Sequence, residues 1–275
     1  MVARRQVGWA VGAAYALAGA RRRALGRYDR PGCVLGVFGH DMAPDVLDGS
    51  LGWLRRHGFS FVGTDDLLDG RLPSGRVAWL SFDDGWAGFE ARLLPVLERH
   101  AAPATVFVAP NETRRGHIWT NALMERGADY VPAYALTAEE RYRLVGDVPR
   151  RLADEDELKR LARHPLVTLE NHTWTHLSCR DRPCAEVMDE VRRTQAELAA
   201  WTGRVPRLVC YPFGKHTDET DRAILAEGLL PVHSVPGDIE SVDVPLKRNM
   251  MVERATTSEN VGRLLRTWPP IGETV

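Results

Sequence analysis

The fold class of this chain is decided by one stretch, Val77-Ala78-Trp79-Leu80-Ser81-Phe82-Asp83-Asp84-Gly85. Its first six residues form a largely apolar run of strand length, which is typical of a parallel strand covered on both faces. Asp83 and Asp84 follow at the C-terminal end of this strand, where α/β folds place their chemistry. Because neighbouring residues of an extended chain point in opposite directions, the two carboxylates can serve different tasks. The alternative, on this stretch alone, is an ordinary Asp-Asp-Gly turn.

Two further predicted strands also end in distinctive residues. The strand at 166–170 is followed by Asn171-His172-Thr173-Trp174-Thr175-His176. Two histidines four residues apart at a strand exit can converge on one metal ion. A third predicted strand, at 208–210, is followed by the turn Tyr211-Pro212-Phe213-Gly214. The chain therefore carries three motifs at strand ends.

The rest of the chain alternates predicted strands with predicted helices. Further strands are expected at 34–38, 59–62, 104–108, 229–235 and 244–252. Helices are expected at 45–56, 86–100, 154–163, 183–202, 217–227 and 258–267, with a capping box at 137–140. This alternation predicts a parallel sheet, and seven or eight such units suggest a barrel.

The three motifs together resemble those of carbohydrate esterase family 4, the NodB-homology polysaccharide deacetylases. The family pattern is Thr/Ser-Phe-Asp-Asp-Gly, then His-Ser/Thr-x-x-His, then Arg-x-Pro-Tyr/Phe followed by glycine, and it matches 81–85, 172–176 and 210–214. The resemblance covers about residues 33–255. It implies an α/β fold, an irregular (β/α) barrel of about seven parallel strands, and metal-dependent removal of an N-acetyl group from an amino sugar.

Length and composition fit one sizeable globular domain. Of the 275 residues, 44% are hydrophobic and 27% are charged. We expect the barrel to occupy 31–275 and the segment 110–165 to be an insertion that shapes the substrate site. The formal net charge of −1 shows no nucleic-acid footprint, so we expect no nucleic-acid partner.

The resemblance assigns the metal ligands and the base. It implies that Asp84, His172 and His176 bind the metal and that Asp83 is the catalytic base, although the residues alone do not choose between the two aspartates. Three protein ligands leave positions for water and substrate. Zinc is the expected ion for such a set, and cobalt, manganese and nickel suit it too.

The cysteines allow a rival metal site. Four cysteines stand at positions 33, 179, 184 and 210, too few to decide the redox compartment. Cys179 and Cys184 are expected to be free thiols, or a small disulfide loop in an exported protein. With His172 and His176 they would make a closed structural zinc site, but this spacing fits no common zinc motif.

Hydrolysis also requires an oxyanion donor and an acid. Pro212 has no N–H, so the donors in its turn are the N–H groups of Tyr211 and Phe213, and the resemblance favours Phe213. Histidine is the best acid at neutral pH for the leaving amine. His40 stands after the first strand, where some family members carry this acid, and His233 is the alternative.

One position departs from the family pattern. Cys210 stands where the family has an arginine that steadies the base. Members with a Tyr-Pro-Phe/Tyr-Gly turn often carry an arginine where Arg248 lies, so we predict that Arg248 is catalytic and contacts Asp83. Lys247 should point the opposite way by strand alternation. The missing arginine also leaves an alternative function, a catalytically weak glycan-binding barrel that keeps the metal.

Three tryptophans near the motifs fit a sugar-binding site. Trp86 follows the Asp-Asp-Gly turn, Trp119 lies in the insertion and Trp174 lies between the histidines. Flat aromatic rings cover apolar sugar faces, although tryptophans are also common in protein cores. The expected partner is an N-acylated saccharide, with an N-acetyl or N-formyl amino sugar in a glycan or a lipid-linked saccharide.

The segment 1–30 is basic and apolar. Its apolar run at 7–20 is flanked by arginines and is too short for a membrane-spanning helix, which needs about 20 residues. This pattern favours a helix on an anionic membrane surface, with a signal peptide or a plain N-terminal helix as alternatives. We therefore expect a protein in the cytoplasm or at the cytoplasmic membrane, or an exported form, and few core residues within 1–30.

Overall fold

The strands form one parallel sheet in the computed structural model, which describes residues 19–242 and 244–267. Every strand pairing found within these residues is parallel. The strands are β1 Val34–Gly39, β2 Phe59–Val62, β3 Arg76–Phe82, β4 Ala104–Val108, β5 Val167–Asn171, β6 Leu208–Cys210, β7 Leu230–His233, β8 Leu246–Lys247 and β9 Asn249–Met250.

The order of the strands closes the sheet into a barrel. Neighbours follow the order β8-β7-β6-β5-β4-β3-β1-β9, and β8 and β9 are separated along the chain by Arg248 alone. β2 lies off this path and pairs with residues 76–79 of β3, whereas β4 pairs with residues 80–82 of the same strand. The irregular (β/α) barrel expected from the sequence is thereby confirmed.

Helices follow most of the strands. They are α1 Pro44–Arg56, α2 Thr64–Leu68, α3 Phe89–Arg92, α4 Leu94–Arg99, α5 Pro110–Arg115, α6 Trp119–Glu125, α7 Ala138–Val145, α8 Glu155–Ala162, α9 Cys184–Thr202, α10 Asp218–Ala226 and α11 Thr257–Leu264. Residues 19–25 are also helical. The segment 110–165 therefore contributes four of these helices, which lie along the chain between the neighbouring strands β4 and β5.

Local sequence signals set several helix ends as predicted. Thr137 and Glu140 form the predicted capping box before α7, each side chain accepting a hydrogen bond from the backbone N–H of the other. Pro183 precedes α9, and Gly203 ends it with a φ of 70°, in the left-handed region that favours glycine.

Two predicted elements are interrupted. The single helix expected at 86–100 is wrong: the chain forms the shorter α3 and α4, because Gly88 has a φ of 76° and Pro95 fits only the first turn of a helix. The strand expected at 244–252 is split at Arg248 into β8, which pairs with β7, and β9, which pairs with β1. The second break places Arg248 where the barrel closes.

Alternate side chains of β3 enter two separate cores. Ala78 and Leu80 join a core that includes Leu47 and Leu51 of α1. Val77 and Trp79 face the other way and join a core made chiefly by side chains of other strands, among them Phe107, Cys210 and Val232. Both faces of β3 are therefore covered, as its apolar run predicts.

The described part of the N-terminal segment packs onto the barrel. Ala24, Leu25 and Tyr28 are buried in the core beneath the outer helices, and the Tyr28 hydroxyl donates to Asp238 Oδ1 over 2.6 Å. The expectation of few core residues within 1–30 is therefore wrong for 24–28, because the weakly apolar composition did not reveal this tertiary packing. The predicted membrane-surface or signal-like run at 7–20 lies almost wholly outside the described residues. Within them, no helix combines the length and apolar character that crossing a bilayer requires.

Candidate active site

A cavity of about 950 Å³ lies at the carboxyl ends of the strands. All three sequence motifs contribute to its lining, through Asp83 and Asp84 after β3, His172 and His176 after β5, and Tyr211 and Phe213 after β6. The carboxyl edge of a (β/α) barrel is the usual place for chemistry in such folds. The structure therefore brings together, in one cavity, residues that lie as far apart as 83 and 213 in the sequence.

Asp84, His172 and His176 converge within this cavity. Asp84 Oδ1 lies 3.2 Å from His176 Nε2 and 3.6 Å from His172 Nε2, and all three side chains are buried. Asp84 and His176 have φ values of 76° and 49°, which non-glycine residues rarely adopt. Backbone strain of this kind is concentrated at functional sites, where the surrounding structure holds it.

The donor atoms of these three residues fit one divalent metal ion. His172 Nδ1 donates to the Cys210 carbonyl oxygen over 2.8 Å, which leaves its Nε2 available, the usual arrangement of a metal-binding histidine. Burial lowers the pKa of His176 to about 4 despite the neighbouring Asp84 carboxylate, so this ring is neutral at pH 7, the form that binds metals. The three ligand atoms also lie close enough together to share one ion.

Arg248 holds Asp83 by paired hydrogen bonds. Arg248 Nη1 lies 2.7 Å from Asp83 Oδ1, and Nη2 lies 3.0 Å from Oδ2. The guanidinium is fully buried, donates to the hydroxyls of Ser81 and Ser234 over 2.9 Å each, and lies 4.4 Å from the centre of the Phe38 ring. Burial raises the pKa of Asp83, but the charge and hydrogen bonds of Arg248, together with nearby His172, outweigh it and the net pKa is lowered. The predicted contact between Arg248 and Asp83 is confirmed.

Cys210 lies beside this ion pair and does not replace the arginine. Its Sγ accepts a hydrogen bond from Arg248 Nη2 over 2.8 Å and lies 3.9 Å from Asp83 Oδ2. Lys247, next to Arg248 in sequence, is exposed and points away, as strand alternation predicts. The cation beside Asp83 therefore comes from the closing segment of the barrel and not from β6.

The backbone around Arg248 is fixed by close contacts to β1. The Asn249 amide donates to the carbonyl oxygens of Gly36 and Gly237, over 3.0 Å and 2.7 Å. A Cβ atom on Gly36 would lie only 2.2 Å from the Lys247 carbonyl oxygen, so a side chain at this position would push the last strands away. Glycine at 36 is thus required for the approach that brings Arg248 to Asp83.

Glu190 of α9 organises the segment between the two histidines. Its Oε2 accepts hydrogen bonds from the N–H groups of Trp174 (3.0 Å) and Thr175 (2.8 Å), and its Oε1 accepts one from the Thr175 hydroxyl. Arg141 of the insertion donates to the same hydroxyl over 2.9 Å. Sequence reasoning missed this carboxylate. The signal that could have found it is its position three residues after the core residue Val187, on the buried side of the helix.

The structure separates the two candidate acids. His40 lines the cavity at the end of β1. His233 lies outside that lining, with its Nε2 3.1 Å from Asp221 Oδ1 and its ring stacked on His216. Of the two, His40 has the access to a substrate in the cavity that an acid needs.

The turn after β6 lines the cavity through Tyr211, Phe213 and Gly214. Phe213 has a φ of 61°, and its ring packs 4.6 Å from the centre of the His176 ring. The N–H groups of Gly214 and Lys215 are used inside the turn, donating to the carbonyl oxygens of Tyr211 and Pro212. The Tyr211 side chain is anchored through its hydroxyl, which donates to Asp221 over 2.7 Å.

Only one of the three predicted tryptophans lines the cavity. Trp86 does so, but Trp119 is fully buried and its Nε1 donates to the His176 carbonyl oxygen over 2.9 Å. Trp174 is buried against the Arg193 guanidinium, 3.9 Å from its ring centre, at a second and smaller cavity. The prediction of sugar contact in this cavity is wrong for Trp119 and Trp174, because their rings pack against other parts of the protein. Tyr130 of the insertion lines the main cavity and was missed.

The cysteines form no disulfide, and Cys179 and Cys184 lie outside the candidate metal-ligand clusters. All four are free thiols, and Cys179 is fully buried. Within the described residues, the histidines of the second motif share candidate ligand clusters with Asp84, Asp83 and Cys210, not with Cys179 or Cys184. The rival zinc site is therefore wrong, because the histidine rings face the aspartates after β3.

Fold and site together define a NodB-homology barrel with a two-histidine, one-aspartate centre. The chain belongs to the polysaccharide deacetylase family, whose model matches residues 71–231. The family and the fold expected from the three motifs are thereby confirmed.

Several solved structures share the fold. The deacetylase PplD of Streptococcus pyogenes, in complex with acetate, is 17% identical, with 86% of this chain and 99% of that chain covered and a TM-score of 0.64. IcaB from Ammonifex degensii is 17% identical, with 84% and 99% covered and a TM-score of 0.63. The deacetylase domain of BpsB from Bordetella bronchiseptica is 19% identical, with 79% and 95% covered and a TM-score of 0.58. No curated protein matches the chain.

Proposed function

We propose that this protein is a metal-dependent carbohydrate N-deacetylase that hydrolyses a linear amide. Its substrate would be an N-acetyl or N-formyl amino sugar of a glycan or a lipid-linked saccharide. One observation carries the proposal: the Asp84, His172 and His176 cluster and the arginine-paired Asp83 face the same cavity. An amide is a poor electrophile and water is a poor nucleophile, so both need activation. A metal-binding cluster and an ionised carboxylate in the same cavity would supply that activation.

Asp84, His172 and His176 would hold one divalent ion, for which we propose zinc. When bound, such an ion polarises a carbonyl group and lowers the pKa of water. Cobalt, manganese and nickel suit the same ligands, so metal analysis of the purified protein is needed to identify the native ion.

Asp83 would act as the general base. Its carboxylate accepts the proton of the attacking water as the new C–O bond forms, and Arg248 keeps it ionised and fixes its orientation through two hydrogen bonds. The backbone N–H of Phe213, or that of Tyr211, donates to the oxyanion of the tetrahedral intermediate. His40 then donates a proton to the leaving nitrogen as the C–N bond breaks.

The lining of the cavity is suited to a sugar. Two aromatic rings line it: Trp86 lies in the segment after β3, and Tyr130 lies in the insertion. Aromatic rings cover apolar sugar faces, whereas the surrounding polar groups can hydrogen-bond to hydroxyls. The similar fold of PplD, solved with acetate, supports an acetyl group as the acyl group removed.

Membrane-surface contact through the N-terminal segment is a separate part of the proposal. The run at 7–20 is apolar and is flanked by arginines, which favour anionic headgroups. Deletion of residues 1–18 should reduce co-sedimentation with anionic vesicles and leave the barrel folded. Deletion of 1–30 is not a fair test, because it also removes the buried Leu25 and Tyr28.

The proposal is tested by hydrolysis of defined substrates. Zinc-loaded protein should release acetate or formate from N-acylated amino-sugar oligomers, lose this activity with a chelator and regain it when zinc returns. Asp83→Asn protein serves as the inactive control. Glycan binding without hydrolysis would instead support the weak glycan-binding barrel, an alternative that rested on the missing family arginine. Arg248 beside Asp83 argues against that alternative.

A further inference from the structure

A second cluster of two histidines and one aspartate lies behind the turn that follows β6. It consists of His216, Asp221 of α10 and His233 at the end of β7, all half-buried. One candidate ligand atom from each lies within 4.8 Å of the others. These residues are absent from the lining of the active-site cavity, and none belongs to the cluster around Asp84.

The distance between histidine and carboxylate is similar in the two clusters. His233 Nε2 lies 3.1 Å from Asp221 Oδ1, and His176 Nε2 lies 3.2 Å from Asp84 Oδ1. Two ligands at adjacent positions around one metal, each about 2.0–2.2 Å from it, are separated by a distance of this order. The second pair is therefore placed as two ligands of one ion would be.

The outer hydrogen bonds of the second cluster also match those of a metal site. His216 Nδ1 donates to the Gly214 carbonyl oxygen over 3.0 Å, as His172 Nδ1 does to Cys210, and this leaves His216 Nε2 available. The Tyr211 hydroxyl donates to Asp221 over 2.7 Å. Carbonyl groups and hydroxyls in this position orient imidazole and carboxylate ligands and raise metal affinity.

The two imidazoles of the second cluster lie next to each other and next to a carboxylate. The His216 and His233 rings lie 3.8 Å apart at 27°, and His233 Nε2 lies 3.1 Å from Asp221 Oδ1. If one divalent ion were bound through a nitrogen of each ring, the Asp221 carboxylate would compensate part of its charge.

We propose that His216, Asp221 and His233 form a second divalent-cation site, with the preference for zinc, copper or nickel that imidazole ligands confer. The site would stabilise the turn that carries Phe213, because Tyr211 and Gly214 of that turn hydrogen-bond to two of its ligands. It does not depend on the hydrolytic function, since it shares no ligand with the first cluster.

Zinc binding to the tag-free full chain tests the proposal. After equilibration with zinc and removal of excess ion, wild-type protein should retain about two zinc ions per chain, and Asp84→Asn/His176→Ala protein about one. His216→Ala/His233→Ala protein should also retain about one and keep the ion bound by Asp84. His164→Ala is the matched control, because His164 Nε2 lies 3.2 Å from Glu98 without a third described ligand, and it should retain both ions.

Asp221→Asn is a second variant, which we expect to fold normally. The amide keeps the shape of the carboxylate and keeps an oxygen that accepts the hydrogen bond of the Tyr211 hydroxyl. This variant should lose the second ion while its circular dichroism is unchanged. Retention of two ions by folded Asp221→Asn and His216→Ala/His233→Ala proteins would overturn the proposal. So would a wild-type protein that retains a single zinc ion, if the Asp84→Asn/His176→Ala protein retains none. Loss of hydrolysis alone would bear on the proposed function and not on this site.

Discussion

Asp83 and Asp84 are neighbours in sequence, but their carboxylates contact chemically different partners. Asp83 lies against the permanently charged Arg248, whereas Asp84 faces the imidazoles of His172 and His176. Burial raises the pKa of both carboxylates and is outweighed in both, at Asp83 chiefly by the charge and hydrogen bonds of Arg248 with help from nearby histidines, and at Asp84 by the hydrogen bonds and charge of the histidines. A fixed organic cation keeps a buried carboxylate ionised, whereas two imidazoles beside a carboxylate can share one metal ion with it.

The backbone creates this difference. The Asp83 N–H still donates to the Gly39 carbonyl oxygen over 3.0 Å, continuing the hydrogen bonding between β3 and β1. Asp84 then turns into the left-handed region with a φ of 76°. Because the chain leaves the extended conformation between the two residues, one carboxylate stays over the barrel interior and the other turns toward β5.

The largest effects should come from removing either carboxylate. Asp84→Asn should lose both bound metal and turnover, because a ligand is removed. Asp83→Asn should keep most of its metal and lose turnover by roughly 10²–10⁴-fold, the contribution of a positioned base. Metal analysis and activity of the two purified variants separate these outcomes, and equal metal loss in both would mean that the roles are wrongly assigned.

The next largest effect should distinguish the two candidate acids. His40→Gln should reduce turnover of an unactivated N-acetyl sugar by roughly 10²-fold or more, with little change for an ester that needs no protonated leaving group. His233→Gln should have a much smaller effect, because this ring lies outside the cavity. Steady-state kinetics on amide and ester substrates measure the difference. A larger loss for His233→Gln would reverse the assignment.

Arg248→Met should reduce turnover by roughly 10²-fold, as expected for loss of a positioned electrostatic group. The pH profile should shift as well. Asp83 is ionised above its lowered pKa, so activity falls only when the pH drops through that value. Without Arg248 the burial of Asp83 loses its largest opposing interaction, the pKa of Asp83 rises, and the acid limb of kcat/KM should move to higher pH.

Lys247→Met is the matched control for Arg248→Met, since Lys247 is the adjacent cation and is exposed. It should leave both turnover and the pH profile nearly unchanged. Equal losses in the two variants would mean that general charge, and not the contact with Asp83, is responsible.

The smallest effect should come from Glu190→Gln, which alters the support of the histidine segment without touching a ligand. Metal affinity should fall by roughly 10-fold, the lower end of the range for outer hydrogen-bond partners of a metal site. Glu186→Gln is the control on the same helix, because Glu186 pairs with Arg182 at the surface. Competition with a chromogenic chelator measures both affinities, and an unchanged value for Glu190→Gln would contradict the positioning role.

The sequence was sufficient for features that depend on local pattern. The apolar runs gave the strands β1 to β6, and the three motifs gave the position of the site, because parallel strands bring their carboxyl ends to one edge. Arg248 could be predicted because the departure at Cys210 required a cation from elsewhere. The strands and the position of the site follow from residue type and order, whereas the prediction of Arg248 also uses the family resemblance.

Features that depend on distant packing could not be predicted in the same way. Tryptophans such as Trp119 and Trp174 are typical of sugar sites. In this fold, however, the Trp119 ring packs against Tyr134 and Phe213, and the Trp174 ring packs against Arg193. The hydroxyls of Ser81 and Ser234 around Arg248 have no sequence spacing that marks them, and the carboxylate of Glu190 is marked only by its place on the buried side of α9. Their roles arise from which surfaces meet in three dimensions.

The position of Arg248 between β8 and β9 has a consequence for the order of folding. Its contact with Asp83 joins residues 165 positions apart, and the segment that carries it is the last to be synthesised among the strands. Until that segment docks, the carboxylate of Asp83 has no cation in a largely apolar interior, an arrangement that costs several kcal/mol. Closure of the barrel and pairing of the Asp83 charge therefore occur in the same step. This step is slow because the residues that meet are far apart in sequence. A nascent chain lacking its final strands should keep this interior open to water, so that catalytic competence and the finished fold arrive together.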